Sequence, residues 1–214
     1  MGIAIKKATL LLAAASAALA GCATTMPSYP ATLSFDRTDC ADAPETVTAV
    51  SLTPDKDKRI WALDNELSAS GPCLVRNGSS APYMVFALPD PSRAKMVELG
   101  AALDFARVVS PQVVLLDADG VETRAFTRDQ YMFRPGLLSV QFVPQENERY
   151  ALVTVDPEPI GESHDTIVAG TATTTIYTGF GASNWRSGHE AMMSRGFSYE
   201  GPIRALVYRP DKEK

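Results

Sequence analysis

"VVLLDADG", residues 113–120, is the stretch whose reading decides the fold. Val113 to Leu116 are four aliphatic residues in a row, and Asp117-Ala118-Asp119-Gly120 ends the run at once. So short an apolar run, closed by a turn, reads as a buried strand; a helix needs roughly ten residues of 3.6-residue periodicity. The same grammar recurs outward along the chain at residues 83–88 (YMVFAL), 137–142 (LLSVQF), 150–155 (YALVTV) and 203–208 (IRALVY), with Gly, Pro, Asn and Asp between them. Weaker strand candidates lie at residues 47–52, 59–63, 96–99 and 107–109, and residues 99–103 also admit a helical turn. The spacing predicts an all-β chain folded as one antiparallel, jelly-roll-like β-sandwich. No long helices alternate with these strands, which argues against a parallel nucleotide-binding sheet.

Asp117-Ala118-Asp119-Gly120 has two readings. Paired carboxylates with a glycine supply oxygen ligands and a tight bend for calcium, but an EF-hand loop needs a glutamate at position twelve, where this chain has Arg128. Asp-Gly is also a strong hairpin signal, since glycine accepts positive φ and aspartate bonds its own backbone. The turn is the expectation.

The N-terminus supplies an address. Lys6 and Lys7 precede about a dozen mostly apolar residues that end in Ala20-Gly21, the anatomy of a secretory signal peptide over residues 1–21. At about 1.5 Å per residue the run is too short for the ~30 Å hydrocarbon core. Leu19-Ala20-Gly21-Cys22 resembles the lipobox of bacterial lipoproteins. That resemblance implies cleavage before Cys22, a diacylglycerol on its sulfur and a palmitate-type acyl chain on the new N-terminus, and several acyl chains anchor a protein firmly. Ala23, where an aspartate would retain a lipoprotein in the inner membrane, implies the outer membrane, facing the periplasm. Cys40 and Cys73 then remain; in an oxidising compartment they allow one intramolecular disulfide, the alternative being two buried thiols.

Cleavage leaves 193 residues, enough for a single domain and a tether. Without Lys6 and Lys7 the basic total falls from 20 to 18 against 25 acidic side chains, a formal charge of −7. With no basic stripe, nucleic acid is not an expected partner. Residues 22–44, interleaving Pro with Ser, Thr and Asp, read as the lipidated N-terminus and a flexible tether. Residues 45–214 read as the sandwich domain, interrupted by a long irregular excursion over about 156–202, in which residues 173–177 admit a strand or hairpin arm.

Aromatic residues define the candidate ligand sites. Tyr177, Phe180, Trp185, Phe197 and Tyr199 stand among Gly, Ser and Asn in the excursion, and Tyr131 and Phe133 beside Arg134 form a second group. Sugar rings expose C–H faces that pack on such rigid apolar surfaces; the alternative is that these rings cap the sandwich core. A catalytic constellation is not visible. His164-Asp165 and His189-Glu190 have serines at 163 and 187, but neighbours in a strand point to opposite faces and do not make a triad by proximity. Neither a Gly-x-Ser-x-Gly elbow nor a phosphate-cradling glycine loop is present, and the histidines lack metal-ligand spacing, so they read as solvated loop residues. No enzyme activity, metal or cofactor is expected.

Three segments carry a family resemblance: "SPQVVLLDADG" (110–120), "RDQYMFRPGLLSVQFVP" (128–144) and "ERYALVTVD" (148–156), with a late return in "GPIRALVY" (201–208). Together they resemble the maltose-operon periplasmic protein family, the MalM-like proteins, over about half of the processed chain. The resemblance implies a periplasmic β-sandwich accessory factor in maltodextrin use, with no catalytic residues to carry over. The lipobox and the cysteine pair depart from that family. The same strands are also similar to jelly-roll carbohydrate-binding modules. The expected function is therefore a non-catalytic envelope lipoprotein that assists carbohydrate binding or transport, the alternative being a structural lipoprotein that docks on another envelope protein.

Overall fold

The computed structural model describes residues 29–54, 58–178 and 181–210; the expected leader and Cys22 lie outside them. Strands are numbered in chain order. The run that opens the sequence argument becomes β8 (Pro111–Leu116), and every residue from Val113 to Leu116 is buried. The reason is that β8 is covered on both faces. Val113 and Leu115 face the main core, while Val114 and Leu116 face a second apolar cluster with Leu74, Tyr83, Val85 and Leu152. An unbroken aliphatic run is what a strand buried on both faces requires.

β8 belongs to a five-stranded sheet with β1 (Val50–Ser51), β5 (Met84–Ala87), β12 (Tyr150–Val155) and β9 (Glu122–Ala125), in the order β1-β5-β12-β8-β9. A second five-stranded sheet runs β10 (Met132–Arg134), β11 (Leu137–Phe142), β6 (Met96–Ala102), β15 (Gly201–Tyr208) and β2 (Ile60–Leu67). The second sheet is antiparallel throughout; in the first, only β1 with β5 is parallel. The inner faces interdigitate through alternate residues: Val97, Leu99 and Ala101 of β6 and Ile203, Ala205 and Val207 of β15 meet Phe86, Val113, Leu115, Ala151 and Val153. The fold is an all-β sandwich.

The strand positions agree with the sequence expectations, and residues 99–103 continue β6 instead of turning into a helix. Gly100 explains why this strand carries a small residue at its centre. A Cβ there would fall on the Leu138 carbonyl oxygen and 2.6 Å from Ser139 Cα, both backbone atoms of the neighbouring β11. The Asp117 turn also forms as expected: the Asp117 carboxylate accepts the N–H groups of Asp119 and Val121, each at 2.9 Å, and Gly120 takes φ +80°.

Two expectations are corrected. Residues 156–202 are not an irregular excursion; they contain a long hairpin, β13 (Ser163–Thr178) and β14 (Gly181–Ser198), paired in unbroken antiparallel register from Ser163↔Gly196 to Thr178↔Gly181. Its Gly, Ser and Ala content hides the alternation that marks a strand, because this ribbon is solvent-exposed over most of its described length and needs no apolar face. The end of β14 joins β7 (Arg107–Val109) in parallel, forming the third sheet. The expected tether is also shorter than residues 22–44. From Thr32 onward the chain is tied to the domain: Thr32 N–H donates to Ser198 Oγ, Tyr199 N–H to the Thr32 carbonyl, and Phe35 packs on the Tyr199 ring at 5.6 Å. Ala41 then pairs with Leu74.

A small hairpin, β3 (Cys73–Arg76) and β4 (Ser79–Pro82), follows, and Leu74 of β3 packs on the outer face of the first sheet against Val85, Val114, Leu116 and Leu152. The hairpin turn is Asn77-Gly78, with φ of 51° and 80°, the pair of positive values that a two-residue turn between twisted strands demands. Cys40 and Cys73 form a disulfide, Cα–Cα 4.8 Å, that staples the N-terminal segment to β3.

Two outcomes follow. Cys40→Ser/Cys73→Ser should lower the unfolding free energy by about 3 to 4 kcal/mol, the closure entropy of a loop of this length, read by urea denaturation. Gly100→Ala should cost about 1 to 3 kcal/mol by forcing β11 away from β6, seen as a lower melting temperature with a folded far-ultraviolet spectrum retained.

Candidate functional site

A groove opens where the first sheet, the segment 127–134 and the foot of the β13–β14 hairpin converge. Its volume is about 710 Å³, within the range of small-ligand sites. One wall is made by β8 and the end of β9, with Gln112 and Phe126; the opposite wall is Tyr131, Phe133 and Phe197; the rim carries Asp156, Glu158, Glu162 and Arg128. Local sequence builds each part. The Thr127–Gln130 capping box turns the chain from β9 into β10, setting Tyr131 inward and leaving Phe133 partly open to solvent. The Asp156-Pro-Glu-Pro stretch leaves β12 in a turn, where Glu158 N–H donates to the Asp156 carboxylate and Ile160 N–H to the Pro157 carbonyl.

At the mouth, the Phe133 ring lies flat on the His164 imidazole, centroids 3.4 Å apart and planes within 3°. His164 is not the solvated loop residue expected from sequence. It sits in β13, half-buried, in register opposite Arg195. Burial pushes its pKa below the usual histidine value, and the nearby Arg195 guanidinium pushes the same way, against the smaller pull of Asp165. The imidazole is therefore neutral at neutral pH, and the stack is an uncharged aromatic shelf that presents the face of one ring.

Tyr131 forms part of the floor. Its hydroxyl accepts the Val113 N–H at 2.6 Å, and burial drives the phenol pKa far up, so it stays a neutral polar atom at every accessible pH. Arg134 is not part of the groove. Its guanidinium turns onto the outer face of the second sheet, donating to the Ser139 carbonyl and hydroxyl beside Glu98. Burial favours the neutral form of Glu98, but donors from Ser139, Gln141 and Tyr208 and the Arg134 charge outweigh it and hold the carboxylate below its usual range. On the rim, Arg128 lies 3.5 Å from Glu158 and 3.8 Å from Glu162, exposed pairs that tether the rim weakly.

Of the other aromatic candidates, Phe180 lies outside the described residues. Tyr177 and Trp185 are placed by backbone register alone, opposite Ala182 and Thr174 in the ribbon and far along it from the groove at its foot. The groove thus brings together Tyr131, Phe133 and Phe197 from the expected set, and adds His164, Asp156, Glu158 and Glu162. The acidic run after β12 was the available sequence signal for the last three; nothing local marks His164, whose partner Phe133 is 31 residues away.

Among the described residues one trio of metal-ligand types, Asp39, Cys40 and Cys73, lies within 4.8 Å, but both sulfurs are consumed in the disulfide. Comparison of the chain with protein-family models, with curated proteins and with solved structures found no match.

A nuclear magnetic resonance titration tests the shelf. The His164 resonances should move with a midpoint below 6.5, and folding stability should fall as the pH drops from that ordinary value through the midpoint, because the unfolded chain binds the proton more readily. A midpoint at or above the free-histidine value would contradict the packing described for this ring.

Proposed function

We propose that this protein is a non-catalytic, lipid-anchored envelope protein that binds a neutral oligosaccharide of the maltodextrin kind in the groove beneath the hairpin. The observation that carries the reading is the parallel-stacked Phe133–His164 pair beside a carboxylate rim. Aromatic faces accept the C–H faces of pyranose rings, and carboxylates accept hydrogen bonds from vicinal hydroxyls. The rim disfavours anions: Asp156, Glu158 and Glu162 outnumber Arg128, and Arg76, also at the groove, is held by Glu122 at 2.7 Å. A neutral, hydroxyl-rich ligand suits this balance better than a phosphorylated or acidic one. The resemblance to MalM-like proteins favours the same ligand class, and the lipobox favours attachment through Cys22 to the outer membrane.

Isothermal titration of the protein with maltohexaose should give a saturable heat, and Phe133→Ala should weaken it about 10-fold while leaving the melting temperature nearly unchanged. No heat with any maltodextrin, or binding abolished by Trp185→Ala and untouched by Phe133→Ala, would remove the groove from consideration. For the anchor, mass spectrometry of the envelope-extracted protein should find an N-terminal peptide beginning at Cys22 with diacylglyceryl and acyl additions. Cys22→Ser should abolish both modifications.

A further inference from the structure

The sandwich ends its sheets cautiously, with one exception. β1 has two residues, β10 has three and includes Arg134, β9 has four with Glu122 and Arg124, and β2 carries Asp64 and Glu66. Short strands and charged residues are how edges avoid pairing with foreign strands. β13 does neither. It is an outer strand of 16 residues, has no strand on its far side among the described residues, and pairs with β14 without a bulge. Residues 166–178 contain no Asp, Glu, Lys, Arg or Pro and are rich in the β-formers Thr, Val and Ile. This length spans roughly 40 Å of ribbon. A two-stranded ribbon on its own is marginal in water, so a free hairpin of this length lacks support along most of its run.

We propose that the outer edge of β13 pairs antiparallel with β13 of a second copy of this chain, joining the two hairpins into a four-stranded sheet across a two-fold axis. Self-pairing is favoured by charge. The chain is acidic overall, with a formal charge of −5, yet the strand that would meet its own copy is uncharged over 13 residues, so no like charges are set opposite one another. Thr171, Thr173, Thr174 and Thr175 lie about the middle of that stretch, are exposed, and would form cross-strand threonine pairs near the axis. Antiparallel overlap also sets the two sandwiches at opposite ends of the joint sheet, clear of each other. The arrangement closes at two copies, because β14 bears Arg186, Glu190 and Arg195 and is already occupied by β7 at Gly196–Ser198. Alternate outward backbone groups of 13 residues from each copy would supply about a dozen new hydrogen bonds.

The test is sedimentation of the full chain in detergent over a range of concentrations, with hydrogen exchange read at residues 166–178. The expected result is a dimer whose β13 amides slow as concentration rises, and a Thr171→Lys/Thr173→Lys variant whose self-association is weakened about 10-fold or more. Should that variant lose its strand signal in circular dichroism, a Thr173→Cys protein, otherwise unaltered and spin-labelled at that thiol, decides: a short distance between labels on two copies supports the pairing, and its absence overturns it. A monomer at every concentration, or a dimer indifferent to the lysines, overturns it too. So would β13 amides protected only when phosphatidylglycerol vesicles are added to monomeric protein, which would assign the edge to a membrane surface. None of these outcomes depends on sugar binding.

Discussion

Burial of β8 on both faces is the constraint from which the rest of the structure follows. A strand whose odd and even side chains are both apolar cannot lie at the surface of a two-layer sandwich; it needs a second covering. The inner face is covered by the second sheet. The outer face requires something else, and the chain supplies Leu74 of β3, next to Cys73, which the bridge to Cys40 ties down. Without that cover, Val114, Leu116, Leu152 and Val85 would present a contiguous apolar patch to water. The disulfide therefore contributes more than loop entropy. It keeps β3 over a surface that would otherwise favour association.

The same sheet builds the groove. β8 begins and β9 ends near the point where the second sheet begins at β10, and the chain leaves β12 at the Asp156 turn close by. Three segments far apart in sequence thus converge around Tyr131, whose hydroxyl bond to the β8 backbone anchors the wall. The groove is partly lined by residues that also serve the core: Phe126 and Leu138 belong to it, and Tyr131 and Phe197 pack against it. The groove's remaining lining includes what stands outside that core, namely Phe133, His164 and the acidic rim.

The hairpin stands apart energetically. Its foot is held by β7 and by Arg195, which donates to the Asp104 carbonyl and the Thr166 hydroxyl, while exposed residues such as Ile167 and Met192 contribute nothing to the core. A segment so placed is free to vary in sequence without disturbing the sandwich, as long as its backbone bonds are made.

Much of the framework was legible in the amino-acid sequence: the five strongest apolar runs are strands, the Asp117-Gly120 stretch is a turn, and the cysteines not assigned to lipid are bonded. Those features are local or combinatorial, since side-chain alternation, turn chemistry and the pairing of two thiols do not depend on distant context. Tertiary structure alone decided three things. Apart from the arm admitted at residues 173–177, the hairpin at 163–198 escaped detection because Gly, Ser and Thr carry no amphipathic signal when neither face needs burial. The attachment of residues 32–41 arose because backbone groups of a polar segment found partners on the domain. The stacking of Phe133 on His164 depends on two strands from different sheets meeting, and no spacing along a chain encodes such a meeting.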